Sequence, residues 1–293
     1  MLFCPGDNPK LFFTGMIYKP DCIIFDLEDS VKLSNKESAR DLIGEALKTI
    51  DYKGIEIFVR VNPLSTPFGE MDVRELVKNG LRKIRLPMCE EKEQIIELDR
   101  LLTEVEEENN IKLGEVKIQC GIETPKGVHN AYSIVTASKR VTALSFGAED
   151  YTRSLGTERT KEGLEILVAR SNLAMIASMV GIDATDTVWS DIGDEKGFIE
   201  EIKKIKILGF TGKSCIHPNQ IKHVHSAYLP SKEEIKNSLE ILEISQNMEI
   251  IDGGVISLHG KMIDIPVIEK AKKIIIQAQA AGIFKNMGEK NHA

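Results

Sequence analysis

The segment "IIFDLEDS" at residues 23–30 runs an apolar stretch straight into three carboxylates, Asp26, Glu28 and Asp29. Two like charges about 4 Å apart repel by roughly 4 kcal/mol at an effective dielectric of ~20. Solvent, a cation or hydrogen-bond donors must offset that repulsion. Other apolar runs also end in polar residues. "VRVN" carries Arg60 and Asn62, "GIETP" carries Glu123, and "FGAEDY" carries Glu149 and Asp150; "TVWSD" ends in Asp191 and "CIHP" contains His217. If these ends share one mouth, its carboxylates call for a cation. Oxygen-only ligands favour a hard ion such as Mg2+, which takes one or two carboxylates and completes its shell with water and substrate oxygens. Glu123 and Asp150 form the best ligand pair, because each directly follows an apolar run. Gly147 and Ala148 are small enough to leave room for a ligand beside them. The planar fork of Arg60 suits a substrate carboxylate. A salt bridge to Asp26 or Glu28 is the competing use of the same group.

These residues need a scaffold that brings strand ends together. Eight strand candidates fall at Leu2–Cys4, Asp21–Asp26, Glu56–Val61, Lys83–Leu86, Val116–Ile122, Ala143–Phe146, Ala184–Trp189 and Lys213–Ile216. Amphipathic segments separate them. Glu91–Asn109 places Ile95, Leu98, Leu102 and Val105 on one stripe, and Thr160–Val180 repeats Leu164, Leu167, Val168 and Leu173 at helical spacing. Strand–helix alternation implies a parallel sheet. Eight units predict an α/β protein with a closed (β/α)8 TIM barrel, whose active site lies at the C-terminal ends of the strands. No GxGxxG or Walker sequence marks a nucleotide-binding sheet. Lys83 and Lys213 fall at strand starts, away from that mouth, which argues against a Schiff-base lysine.

The barrel is predicted over residues 1–230. Residues 231–293 add a C-terminal helical segment, with helices near Ser231–Asn247 and Pro266–Ala281. Between them "DGGVISLHGKMID" reads as a loop or hairpin, made mobile by Gly253, Gly254 and Gly260. Asp264 stands just before Pro266, where a side chain can cap a helix.

Composition narrows the function further. With 42% hydrophobic and 28% charged residues the 293-residue chain is globular, and its net charge of −7 gives no basic footprint for nucleic acid. An acidic protein needs a local arginine or a metal to hold an anionic substrate. The five cysteines form no close pair and read as reduced core residues of a cytoplasmic protein. No signal peptide or membrane span is expected. His223 and His225, two apart on a helix, face different ways and do not read as a metal pair.

An ordered set of motifs carries a resemblance. "LFCPGDN", "FDLEDSV", "VRVNPL", "RLP", "IETPKGV", "GAEDYTRSLGTERTKEG", "DTVWSD", "LGFTGKSCIHPNQI" and "GKMIDIPVI" run from Met1 to about Ala281. Together they resemble the HpcH/HpaI aldolase and malyl-CoA lyase family. "GAEDYTRSLGTERTKEG" and "GGVISLHGKMID" point within it to the citrate lyase β-subunit group. The resemblance implies a (β/α)8 barrel whose C-terminal segment reaches a neighbouring subunit of a trimer or hexamer. It implies Mg2+ on Glu123 and Asp150, an oxo-acid clamp at Arg60, an acid/base at Asp264 serving the neighbour's site, and Asp26, Glu28 and Asp29 around the metal ligands. Gly147 and Ala148 would offer backbone amides to substrate oxygens. The implied reaction cleaves a citryl thioester on an acyl carrier protein to oxaloacetate and acetyl thioester. Its partners would be the α subunit and the acyl-carrier γ subunit. A stand-alone citramalyl-CoA or malyl-CoA lyase uses the same chemistry; a non-catalytic assembly subunit is a remoter reading. Family members usually carry a short basic lead before the first motif. This chain starts at Met1, so either its start is truncated or that contact is absent.

Overall fold

The computed structural model describes residues 1–248, 256–258 and 261–284. Gly253, Gly254 and Gly260 lie outside them. The chain divides into two compact units, residues 1–224 and 225–293.

In the first unit strands and helices alternate. They run β1 (Leu2–Pro5), α1 (Pro9–Ile17), β2 (Cys22–Asp26), α2 (Lys36–Thr49), β3 (Glu56–Arg60), α3 (Gly69–Lys78), β4 (Lys83–Leu86) and α4 (Lys92–Glu108). Then follow β5 (Lys117–Ile122), α5 (Pro125–Val135), β6 (Val141–Phe146), α6 (Ala148–Leu155), α7 (Leu164–Val180), β7 (Asp183–Asp186), α8 (Glu195–Leu208) and β8 (Gly212–Lys213). The helix α9 (Ile221–Tyr228) ends this unit and begins the next.

The eight strands form one sheet in chain order, each parallel to its neighbours. The first and last strands close the ring. Phe3 N donates to Cys215 O at 2.9 Å, and Cys215 N donates to Met1 O at 2.8 Å. The result is the (β/α)8 barrel that the alternation predicts. Its strands are apolar along most of their length because helices cover the outer face while facing strands fill the inner one. Ile23, Ile24, Phe25, Val59, Ile84, Ile118, Cys120 and Leu144 are fully buried.

Three sequence expectations shift. β7 stops at Asp186 rather than Trp189, because Val188 and Trp189 turn into the cavities above the barrel instead of pairing. β8 pairs regularly only at Gly212 and Lys213, and Cys215 reaches Leu2 by a single bridge. Lys213 is therefore the last residue of its strand, not the first. Its ammonium is buried between Asp186 (2.7 Å) and Glu201, which still leaves no amine free for a Schiff base.

In the second unit α10 (Lys232–Met248) packs on α11 (Ile265–Ala280). A short antiparallel hairpin, β9 (Ile256–Leu258) with β10 (Lys261–Ile263), precedes α11. Asp264 is the N-cap of α11, and its Oδ1 accepts from Val267 N at 3.1 Å with Pro266 at the start of the helix. Among the described residues no helix is long and apolar enough to cross a membrane.

Candidate active site

One register row across the barrel pairs Asp26 with Arg60, Arg60 with Arg85, and Arg85 with Gln119. Two arginines thus sit side by side on adjacent strands. The ring of Phe3 on β1 serves both, its centroid 5.4 Å from Arg60 Cζ and 5.1 Å from Arg85 Cζ.

The carboxylates of "DLED" divide their work. Asp26 takes the Arg60 fork, with Nε to Oδ1 at 2.7 Å and Nη2 to Oδ2 at 2.8 Å. It also accepts from the amides of Glu28 and Ser30, each at 3.0 Å. Burial would raise the Asp26 pKa, but the Arg60 contacts and these donors outweigh it and hold it at about 2. On the other side of Arg60, Nη1 stands 2.8 Å from Glu28 Oε2 and 3.2 Å from Asp29 Oδ2. The Glu28 contact is an ion pair by distance whose geometry makes no hydrogen bond. Burial pushes Glu28 up to about 8 against the pull of Arg60, reinforced by Asp29, Glu123 and Asp26. Buried Lys36 ties the loop down, its Nζ donating to the carbonyls of Leu27 and Glu28 at 2.7 Å each.

Glu123 is set by the turn from β5 into α5. Thr124 caps that helix, its Oγ1 accepting from Gly127 N at 3.1 Å, with Pro125 in the first turn. The carboxylate beside it is 3% exposed, lies 3.6 Å from Arg85 Nη2, and leaves Oε2 buried without a partner. Burial raises its pKa in spite of Arg85 and Arg60. Gly147 makes the close approach possible, since a Cβ there would lie 2.6 Å from Glu123 Cγ. Glu149 and Asp150 follow in the first turn of α6, where the helix dipole favours carboxylates. Asp150 pairs with Arg153 on the same helix.

A cavity of about 140 Å3 joins these groups. Arg60, Arg85, Glu123, Gly147, Glu149 and Asp150 line it, together with Phe3, Asp29, Thr187 and Ser214. Drug-sized sites run to roughly 300–1,000 Å3, so this space suits a compact, polar fragment. A second pocket of about 290 Å3 shares Glu149 and is lined by Arg159, Lys161, Trp189 and Asp191.

The structure therefore brings Asp29, Arg60, Glu123, Gly147, Glu149 and Asp150 to one cavity. Asp26 and Glu28 reach it through Arg60. Asp191 lies in the larger pocket, bonded to Lys161 at 3.2 Å, and His217 caps a short turn through Asn219 N. The amides expected to hold substrate oxygens are engaged, Gly147 N with Ile122 O at 3.0 Å and Ala148 N with Thr187 Oγ1 at 3.1 Å. The reading of strand ends overlooked Arg85, Phe3, Thr187 and Ser214. The signal for Arg85 was a charge inside the otherwise apolar "KIRLP".

Among the described residues no three His, Cys, Asp or Glu side chains form a metal cage. Glu123 with its orphaned oxygen, and Asp150 on the lining of the same cavity, instead fit a hard cation that borrows its remaining ligands from water and substrate.

A closed parallel barrel whose cavity joins Glu123 and Asp150 to two arginines is the kind of site at which a cation and an anionic substrate can meet. The profile of the HpcH/HpaI aldolase/citrate lyase family matches residues 1–218, and the chain belongs to that family. The chain is 42% identical over 280 residues to citrate lyase subunit beta of Haemophilus influenzae, covering 96% of each. It is 30% identical to the mitochondrial citramalyl-CoA lyase of Homo sapiens, over 95% of this chain and 84% of that protein. The crystal structure of protein CitE from Mycobacterium tuberculosis in complex with magnesium, acetoacetate and coenzyme A superposes with a TM-score of 0.76 at 29% identity, over 95% of this chain and 97% of the other.

Proposed function

We propose that this chain is the lyase component of a citrate lyase, cleaving a citryl thioester into oxaloacetate and acetyl thioester. The observation that carries the reading is the pairing of Glu123 and Asp150 on one small cavity with two arginines. Its likeness to citrate lyase subunit beta of H. influenzae supports the substrate. Glu123 and Asp150 are the residues that would hold Mg2+; the ion would supply Lewis-acid polarisation of the substrate hydroxyl and its neighbouring carboxylate.

The bond to be broken joins the hydroxyl-bearing carbon to the methylene of the acetyl thioester arm. The hydroxyl loses its proton as that carbon becomes the ketone of oxaloacetate. The bonding pair passes to the methylene as an enolate, which one proton converts to acetyl thioester. Arg60, held in orientation by Asp26, binds a substrate carboxylate through its Nη1 side, displacing exposed Asp29. A substrate oxygen at Ala148 N would take the place of the Thr187 hydroxyl. The larger pocket beside Glu149 admits the thioester arm of an acyl carrier, the γ subunit of a complex that also holds the α subunit. Asp264 of a neighbouring subunit, in a homotrimer or hexamer, moves the proton at the enolate carbon. The free cysteines fit a reducing cytoplasm.

Human citramalyl-CoA lyase marks the second reading, a stand-alone lyase on a CoA thioester. An assay of citryl on carrier protein, citryl-CoA, citramalyl-CoA and malyl-CoA, each with and without Mg2+, separates the two. We expect Mg2+-dependent turnover with the citryl thioesters leading. Preference for citramalyl-CoA or malyl-CoA would replace the reading. Mixing inactive Asp264→Ala subunits with inactive Glu123→Gln subunits should restore some activity. No recovery after demonstrated subunit exchange would argue for action of Asp264 within its own chain or for a purely structural cap of α11.

A further inference from the structure

We propose that Arg85 reads the second carboxylate of the substrate and thereby selects thioesters of hydroxy acids that carry two carboxylates over those that carry one. This rests on the lyase reading of the same cavity and adds to it the residue that sets substrate class.

The argument begins with what Arg85 lacks. Its side chain is 4% exposed and lines the cavity. Nε and Nη1 are buried without a hydrogen-bond partner, and Nη2 stands 3.6 Å from Glu123 Oε1, beyond hydrogen-bond reach. Arg60, its neighbour in register, is the contrast. Asp26 occupies its fork, with Glu28 and Asp29 on its other side. The described structure supplies three acids for one arginine and only Glu123 for the other.

Glu123 is also the best-placed metal ligand. A cation on it would compete with Arg85 for the one carboxylate nearby and leave a buried guanidinium unbalanced. Burial of an unpaired charge is strongly unfavourable unless a counter-ion arrives. A substrate with a second carboxylate brings that counter-ion. The two arginines and the carboxylate pair then match the citryl group, which presents a hydroxyl and two carboxylates. A citramalyl group has a methyl in place of the carboxymethyl arm that bears the second carboxylate, and a malyl group has a hydrogen there. Either would leave Arg85 unpaired in the closed cavity. A site whose buried polar group loses its partner discriminates strongly against the substrate that fails to supply it.

The test compares wild type, Arg85→Met and Arg85→Lys as full chains with Mg2+. Methionine fills the space without charge, and lysine keeps the charge without the fork. The ratio of kcat/KM for citryl-CoA to that for citramalyl-CoA should fall on the order of 100-fold in Arg85→Met, the scale of one charge-assisted contact, and less in Arg85→Lys. Calorimetric titration of the Mg2+-loaded proteins with oxaloacetate and pyruvate should show the same loss of preference for the dicarboxylate. An unchanged ratio and unchanged oxaloacetate preference would overturn the assignment, as would an equal loss on both substrates. If wild type cleaves neither thioester, the lyase reading fails. The oxaloacetate and pyruvate titrations then still decide the role of Arg85. Should Arg85→Met not fold, Arg85→Lys carries the same comparison.

Discussion

Two buried ionic clusters in this barrel are built on opposite rules. Around β7 and β8, Asp186 takes a two-point contact from Arg170 at 2.8 Å each and a third from Lys213 at 2.7 Å. Glu201 pairs with Lys213, with Arg170 at 3.1 Å and with Arg159 at 3.3 Å. No charged atom of Asp186, Glu201, Arg170 or Lys213 is among the buried atoms lacking a hydrogen bond. The cluster of β3, β4 and β5 is different. Glu28 Oε2, Glu123 Oε2, Arg85 Nε and Arg85 Nη1 are all buried and all unbonded. A closed network holds the barrel together; an open one retains unmet demand that a metal and a substrate can fill. The contrast separates the two kinds of buried charge without reference to any relative.

The strongest way to test it is Glu123→Gln. Lewis-acid stabilisation is worth several kcal/mol and each ~1.4 kcal/mol is tenfold, so Mg2+-dependent turnover should fall by at least ~1,000-fold. The urea midpoint of the metal-free protein should fall only modestly, because the neutral amide relieves an unsatisfied buried acid while leaving Arg85 without its nearby carboxylate. A drop as large as that for Lys213→Met would place Glu123 in the closed class instead. Next comes Lys213→Met, which removes one partner from the matched cluster and should cost about 3–5 kcal/mol of stability. A urea midpoint equal to wild type would break the comparison from the other side.

A third test is a pH dependence. Glu28 ionises at about 8 in the folded protein against an ordinary glutamate value of 4.5. Both states are protonated below about 4.5, and the unfolded chain loses its proton first as pH rises. The Glu28 contribution to stability is therefore full below about 4.5 and is lost progressively up to about 8. Metal-free Glu28→Gln should gain on wild type across that window and keep a constant lead above it. A lead that does not change with pH between about 5 and 8 would remove Glu28 from the set of strained acids.

Much of this was legible in the amino-acid order because barrel strands are buried on both faces. Apolar runs bounded by polar ends located β1 to β6 within a few residues, and the same ends named Arg60, Glu123 and Asp150. The failures have physical causes. Val188 and Trp189 are as apolar as strand residues, but they line cavities, so the seventh strand was read too long. Arg85 lies within its strand rather than at the end, and reading only the ends passes over it. Lys36 and Lys213 are surface residues by type. What buries them is a set of oxygens 8 to 27 positions away, which spacing along the chain does not reveal. The amides of Gly147 and Ala148 looked free because their acceptors, Ile122 O and Thr187 Oγ1, come from other strands or loops.

The ring of Phe3 beneath both guanidiniums belongs to the first strand, and that strand is secured by the eighth. Met1 N donates to Lys213 O at 3.2 Å across a separation of 212 positions. At typical synthesis rates of about 5–20 residues per second, the eighth strand follows the first out of the ribosome roughly 10 to 40 s later. Through that interval the apolar Leu2–Pro5 strand has one edge without a mate, the condition under which nascent strands pair with the wrong chain. The platform on which the arginines rest is thus among the last parts of the barrel to be assembled. A chain interrupted before β8 would carry the motif residues of seven strands without a closed ring to aim them.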